Sequence, residues 1–187
     1  MNLPLHIQEV MEQSTCLHTT EEVDAAIDRM AADITEKLAD TNPILLCVMI
    51  GGIVPAGILL PRLNFPLEVD YIHATRYHGN IQGGELKWKI APDTRLAGRT
   101  VILLDDVLDH GNTLTAIVKH CEGMQAAAVY TAVLVDKAYP RGPDVIQQAD
   151  FTGLNVINRY IFGYGMDYKE YLRNAPGIYM VAPEHEV

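Results

Sequence analysis

Two adjacent carboxylates, Asp105 and Asp106, follow four apolar residues at positions 101–104. The apolar run has the length of a short buried strand, with the acids at its carboxyl end. A polar turn occupies residues 109–113, and apolar residues then recur at helical spacing. The sequence therefore predicts a strand, an acidic loop, a glycine turn and a helix N-terminus in succession.

This order of elements is suited to binding a phosphorylated sugar. A helix N-terminus offers free N–H groups and the positive end of a dipole to a phosphate. Gly111 allows close approach of the backbone, and Thr113 can add a hydroxyl. The two acids would repel a bare phosphate, so they indicate sugar hydroxyls or an accompanying divalent cation. The alternative is a solvated acidic loop behind a core strand.

The block from the strand to the turn resembles the phosphoribosyl diphosphate (PRPP) motif of the type I phosphoribosyltransferases. That family has an apolar strand, two acids, two apolar residues and a D-T-G-x-T-like loop, which reads D-H-G-N-T here. The resemblance implies that Asp105 and Asp106 bind the ribose hydroxyls and that Asp109 acts on purine N7 as base or acceptor. It implies a 5′-phosphate cradle formed by His110, Gly111, Asn112 and Thr113. A competing hypothesis makes His110 the acid/base, since histidine ordinarily titrates near neutrality.

A second glycine turn follows the apolar run at 44–50, which is typical of a parallel strand buried on both faces. The resemblance makes Ile50, Gly51 and Gly52 the pyrophosphate loop, where the family often has x-Lys-Gly-Gly. Ile50 cannot supply a cation. We therefore expect this loop to bind through its backbone, with charge from elsewhere.

The segment at about 76–92 is rich in glycine and carries the only tryptophan. One interpretation is a β-hairpin tip. The other is a lid that closes over the reactive intermediate and excludes water. In the family the closing end of such a lid is often Ser-Tyr, and Arg76 and Tyr77 stand at that place.

The last third of the chain carries a second resemblance. Lys137 follows a predicted strand at 129–135 and would face the ligand crevice, unless it is simply an exposed lysine. Residues 159–173 resemble the carboxyl-terminal signature of the hypoxanthine-guanine phosphoribosyltransferases, although their aromatics could also belong to a half-buried strand. The resemblance assigns Lys137 to purine O6, Tyr160 to stacking and Ile161 to the ring edge. It assigns Asp167 to the metal and the purine 2-position, and Arg173 to pyrophosphate.

The remaining pattern predicts one α/β domain over residues 1–187. Thr19 and Glu22 form a predicted capping box before an amphipathic helix. The resemblance implies the type I phosphoribosyltransferase fold, a twisted, mainly parallel sheet flanked by helices. It also implies a small hood of N- and C-terminal segments that includes about 150–187.

Composition limits the class of protein. The net charge of -10 argues against nucleic-acid binding through a broad basic face. Three cysteines without a C-x-x-C pair are typical of a reduced cytoplasmic protein. No signal peptide or membrane-length apolar run is evident, and the seven histidines show no zinc-ligand spacing.

Together, the resemblances imply purine salvage: transfer of 5-phosphoribosyl from PRPP to hypoxanthine or guanine, giving IMP or GMP and pyrophosphate. Mg²⁺ is the implied cofactor, held by Asp105, Asp106 and Asp167 partly through the substrate. Homo-oligomers, as dimers or tetramers, are common in the family. Two alternatives stay open: a xanthine phosphoribosyltransferase, and a non-catalytic PRPP- or nucleotide-sensing regulator on the same fold.

Overall fold

A computed structural model describes residues 4–76, 86–92 and 94–186. The helices are α1 Leu5–Gln13, α2 Thr20–Leu38, α3 Ile53–Leu59 and α4 Asn112–Gly123. The strands are β1 Thr15–His18, β2 Ile44–Val48, β3 Glu68–Arg76, β4 Leu86–Ile90, β5 Thr100–Leu108, β6 Ala128–Lys137, β7 Phe151–Val156, β8 Ile161–Phe162 and β9 Ile178–Met180. Short 3₁₀ turns cover Ala39–Thr41, Leu60–Arg62 and Pro183–His185.

Six strands form the main sheet, in the order β4-β3-β2-β5-β6-β7. All neighbours are parallel except β3 and β4. Every residue of β2 is buried, as expected for a central strand covered on both faces. Leu45 packs in one core cluster with α2 and α3, whereas Leu46 packs in a second with α4. The parallel order brings the carboxyl ends of β2, β5 and β6 to one edge.

The predicted capping box and buried stripe of α2 are confirmed. The Thr19 N–H donates to Glu22 Oε2 at 2.9 Å, and the Glu22 N–H donates back to Thr19 Oγ1 at 3.4 Å. The stripe faces the main sheet and is buried at Val23, Ile27, Met30, Ile34 and Leu38. The acids between these positions remain on the outer side of the helix.

A separate three-stranded antiparallel sheet, in the order β1-β9-β8, joins the two ends of the chain. It shares a small core with α1, in which Val10, Phe162 and Val181 are fully buried. This is the hood. Its predicted range from residue 150 begins too early, because β7 pairs with β6 in the main sheet.

One sequence expectation about strands needs revision, and the two alternatives for the segment at 76–92 can be compared in part. Asp105 and Asp106 lie within β5 rather than after it, because the ladder with β6 continues to the pair Leu108 and Asp136. In the predicted lid, Leu86–Ile90 forms β4 antiparallel to β3, which favours the hairpin interpretation for that part. Tyr77 lies outside the described residues, so the lid itself stays a prediction.

Within the described residues, no helix has both the length and the apolar character needed to cross a membrane.

Candidate active site

Two adjoining cavities open at the carboxyl ends of β2, β5 and β6. The larger, of 590 Å³, brings together residues predicted from distant parts of the sequence. The smaller, of 330 Å³, lies against the turn that begins α4. Among the predicted site residues, the larger is lined by Gly51, Asp106, Asp109, His110, Lys137, Tyr160, Ile161, Asp167 and Arg173. The smaller is lined by Asp105, Asp106, Asp109, His110, Gly111, Asn112 and Thr113.

The acid pair sits at the boundary of the two cavities. Asp106 is buried, and its N–H donates to Asp105 Oδ1 at 2.9 Å. Burial and the neighbouring charge of Asp106 raise the pKa of Asp105 well above its usual value. Burial also raises the pKa of Asp106, although hydrogen bonds and Arg173 oppose the shift. A ligand that brings hydroxyl donors or a cation would therefore stabilise the charged form of these two acids.

The turn before α4 has the geometry of a phosphate cradle. Gly111 is the residue before the helix and has a φ of 76°, in the left-handed region. A Cβ there would also lie 2.8 Å from the Ile146 carbonyl oxygen. Asn112 and Thr113 begin α4, where backbone N–H groups have no acceptor within the helix. The smaller cavity therefore meets a helix N-terminus, as predicted.

Asp109 is the centre of a hydrogen-bond network. Lys137 Nζ donates to Asp109 Oδ2 at 3.0 Å, and the Tyr139 hydroxyl donates to Asp109 Oδ1 at 2.7 Å. His110 Nδ1 lies 3.1 Å from the same Oδ1. Burial tends to raise the pKa of Asp109, but hydrogen bonds from Tyr139 and Lys137 outweigh it and leave this pKa below its usual value. Asp109 is therefore a carboxylate at neutral pH.

The tail signature forms the opposite wall. Tyr160 is half-buried, with its ring centroid 5.5 Å from that of Tyr168. Its hydroxyl accepts from the Lys169 N–H, and its carbonyl accepts from the Val181 N–H in the hood. These contacts fix a flat aromatic surface beside the cavity. Ile161, in β8, follows it on the same wall.

Arg173 lies beside the predicted pyrophosphate loop and bonds within the tail. It pairs with Asp167 at 2.7 Å and donates to the Gly165 carbonyl at 2.6 Å. Gly165 is so close to the loop that a Cβ there would lie 2.1 Å from the Gly51 carbonyl oxygen. The structure thus brings Arg173, Gly51 and Asp106 to one cavity wall.

Ile50 and Gly52 line neither cavity. Gly52 is buried and directly precedes α3, and Ile50 is 50% exposed. The Met49–Ile50 peptide bond is cis. Arg76 ends β3, and its side chain lies outside the described residues. Ile50 supplies no positive charge to the predicted pyrophosphate loop. Arg173, which lines the larger cavity, is the predicted loop residue that can supply it.

The phosphoribosyl transferase domain family matches residues 14–169. The chain belongs to the phosphoribosyltransferase family. It is 32% identical over 167 residues to the hypoxanthine-guanine-xanthine phosphoribosyltransferase of Tritrichomonas foetus, covering 87% of this chain and 88% of that protein. It is 30% identical over 168 residues to the hypoxanthine-guanine phosphoribosyltransferase of Bacillus subtilis strain 168, covering 89% and 92%. A hypoxanthine phosphoribosyltransferase structure from Staphylococcus aureus superposes with a TM-score of 0.86 over 98% of this chain and 97% of that one, at 23% identity. The predicted type I phosphoribosyltransferase fold is confirmed.

Sequence reasoning missed several residues of this phosphoribosyltransferase site. Tyr139 and Arg141 both contact Asp109, through its carboxylate and its carbonyl respectively. Arg159 and Glu186 pair at 2.8 Å on the rim of the larger cavity. The proximity of Tyr139 and Arg141 to Lys137 in sequence was a usable signal. Nothing local linked Arg159 to Glu186, because the hood sheet brings them together.

Asp105, Asp106 and Asp167 could hold a magnesium ion only if other ligands complete its coordination shell. In the part of the chain that the structure describes, no group of three or more His, Cys, Asp or Glu side chains could hold a metal. Mg²⁺ commonly takes one or two protein carboxylates and completes its shell with water and substrate phosphates. Asp105, Asp106 and Asp167 suit that arrangement, because each lies on a wall of the same double cavity.

Proposed function

We propose that this phosphoribosyltransferase transfers the 5-phosphoribosyl group of PRPP to N9 of hypoxanthine or guanine, in purine salvage. The nucleoside monophosphate and pyrophosphate are the products. The B. subtilis and T. foetus relatives carry names for this class of reaction.

The observation that carries the proposal is the adjacent donor and acceptor on Lys137 and Asp109, 3.0 Å apart. A 6-oxopurine protonated at N7 presents an acceptor, O6, directly beside a donor, N7–H. Each side chain can then exchange its present partner for a purine atom of matching character. Adenine would place its amino donor against the lysine ammonium, leaving one buried donor unpaired at an energetic cost.

The other walls match the remaining parts of the reaction. Tyr160 offers a flat surface for the purine ring. Asp105 and Asp106 would accept from the ribose hydroxyls, and their charge favours an oxocarbenium-like transition state. Residues 110–113 would hold the 5′-phosphate. Asp109 would accept the N7 proton as the base or remain a hydrogen-bond acceptor for it.

Pyrophosphate would lie between Gly51 and Arg173, where a planar guanidinium suits phosphate oxygens. When bound, Mg²⁺ neutralises charge on the diphosphate leaving group. Asp105, Asp106 and Asp167 would hold it, in part through the substrate. We keep Arg76 and Tyr77 as the predicted lid, and we expect the protein to act in the cytoplasm as a homo-oligomer.

The deciding experiment supplies PRPP and Mg²⁺ with hypoxanthine, guanine, xanthine, adenine or uracil, and separates the products by chromatography. We expect turnover of hypoxanthine or guanine and none of adenine or uracil. Turnover of adenine as readily as hypoxanthine would contradict the role given to Lys137.

Xanthine is the second candidate substrate, because it shares O6 and because the T. foetus relative is named for it as well. Xanthine as the best substrate would change the specificity and leave the mechanism intact. PRPP binding without turnover of any base would instead favour the regulator alternative.

A further inference from the structure

Arg141 is a buried cation that the proposed chemistry does not use. Its side chain is 3% exposed, and its carboxylate partner, Asp136, is 9% exposed and 2.5 Å away. Burying such a pair carries a large desolvation penalty, and an apolar pair of similar size is often at least as stable. Stability alone is therefore a weak reason for a guanidinium at this position.

The remaining bonds of Arg141 converge on backbone carbonyls at the ends of two strands. Nε donates to the Asp109 carbonyl at 2.5 Å, and one Nη donates to the carbonyls of Leu108 at 2.7 Å and Lys137 at 2.8 Å. The other Nη donates to the Gln147 carbonyl at 2.7 Å. One side chain thus connects the end of β5, the end of β6 and the loop before β7.

This connection lies where the sheet stops holding the two strands together. The β5–β6 ladder ends at the pair of Leu108 and Asp136. Asp109 directly follows β5, and Lys137 is the last residue of β6. Arg141 continues the link between the strands by one residue, because it binds the carbonyls of both.

The two residues that it links are the donor and acceptor of the proposed purine recognition. Their 3.0 Å separation must match the spacing of O6 and N7 on one purine edge. We propose that Arg141 is a positioning residue that sets this separation and thereby selects a 6-oxopurine. The inference rests on the proposed function.

The test compares Arg141→Ala with Arg29→Ala, a matched loss of an exposed arginine that donates to the Ala25 carbonyl of its own helix. Steady-state kinetics with hypoxanthine gives kcat/KM for the base, and equilibrium binding gives the Kd for PRPP without base. We expect kcat/KM for hypoxanthine to fall about 100-fold in Arg141→Ala, the scale of a misplacement near 1 Å, with less than about a threefold change in PRPP Kd. Arg29→Ala should match the wild type.

Chemical rescue separates positioning from general destabilisation. Guanidinium or methylguanidinium ion at millimolar concentration should restore part of the lost kcat/KM in Arg141→Ala and leave Arg29→Ala unchanged. Should Arg141→Ala fail to fold, Arg141→Lys keeps the positive charge but loses the planar guanidinium. We expect the same fall in kcat/KM for hypoxanthine, with little change in the Kd for PRPP. Equal losses for hypoxanthine and PRPP, or wild-type kinetics, would overturn the inference. Absence of turnover in the wild type would instead count against the proposed function.

Discussion

Asp109 accepts hydrogen bonds from Lys137 and Tyr139 at 3.0 and 2.7 Å, so a purine would meet a carboxylate that already has two donors. Its lowered pKa keeps it ionised through the neutral range. A carboxylate of low pKa is a weak base, but its negative charge still makes it a good hydrogen-bond acceptor. We infer that Asp109 mainly orients the N7–H while the ribosyl bond forms at N9. The proton then leaves N7, to Asp109 or to solvent, as the nucleotide forms.

Asp109→Asn tests this role at the level of one residue. The amide keeps the shape but loses the charge, so we expect kcat to fall about 100-fold or more, within the range for proton-transfer groups. PRPP affinity should change little. Steady-state kinetics measures kcat, and titration with PRPP measures its Kd.

His110→Ala is the companion variant, because His110 is the alternative acid/base. Near wild-type kcat in Asp109→Asn, together with a large loss in His110→Ala, would transfer the role to His110.

Asp105→Asn should stabilise the protein while weakening it as an enzyme. A raised pKa means that the folded state favours the protonated acid, so the charged pair costs stability at neutral pH. That cost is relieved as pH falls through the raised pKa and is absent below the unfolded value of about 3.9. We expect a higher Tm for the variant at pH 7, by about 2–4 °C for each 1 kcal/mol gained, and a smaller difference near pH 4.

Calorimetry in the presence of a chelator and without PRPP measures the effect on Tm. A lower Tm at pH 7 would show that the acids are net stabilising. PRPP binding should weaken in the same variant, because a ribose acceptor has lost its charge.

At the scale of elements, the main sheet was largely predictable from local patterns, whereas the hood was expected only from the family resemblance. The apolar runs of β2 and β5 and the capping box of α2 are local signals, and each appears in the structure. The last residues of β5 escaped prediction because their pairing with β6 overrides the change to acidic residues. β1 escaped because it is four residues long and finds its partner, β9, near the other end of the chain.

The residues of the site also divide into those with a local sequence signal and those without one. Asp109 and Lys137 could be expected at one edge, since both end parallel strands. The bonds from Tyr139 and Arg141 depend on the path of a loop, which no periodic pattern encodes.

Gly165→Ala tests the contact between the tail and the pyrophosphate loop. Gly165 has a φ of 109°, and an added Cβ would lie 2.1 Å from the Gly51 carbonyl oxygen, so one segment must move. We expect PRPP and pyrophosphate affinity to fall at least about tenfold, measured by titration. Gly57→Ala, in α3 with no heavy atom within 4 Å of the new Cβ, is the control and should retain affinity. Equal affinity in the two variants would mean that this contact does not shape the loop.

At the scale of the whole molecule, a net charge of -10 opposes the approach of an anionic substrate. Added salt should screen this repulsion, since the Debye length falls from about 30 Å at 0.01 M to about 8 Å at 0.15 M ionic strength. We therefore expect the association rate for PRPP to rise with added KCl over that range, at constant free Mg²⁺. Stopped-flow measurement gives the rate. A falling rate would show that the local field of Arg173 and the α4 N-terminus dominates the approach.

The pairing of β1 with β9 has a consequence for the growing chain on the ribosome. The acids and the glycine turn are complete once α4 has been made, and β6 and β7 then finish the main sheet. Thr15–His18 must wait for Ile178–Met180 before the hood sheet can form. A nascent chain that ends after β7 and before β9 would contain the predicted phosphate turn, but it would lack the hood that supports Tyr160. Such a chain is expected to bind a ribose phosphate before it can bind a purine.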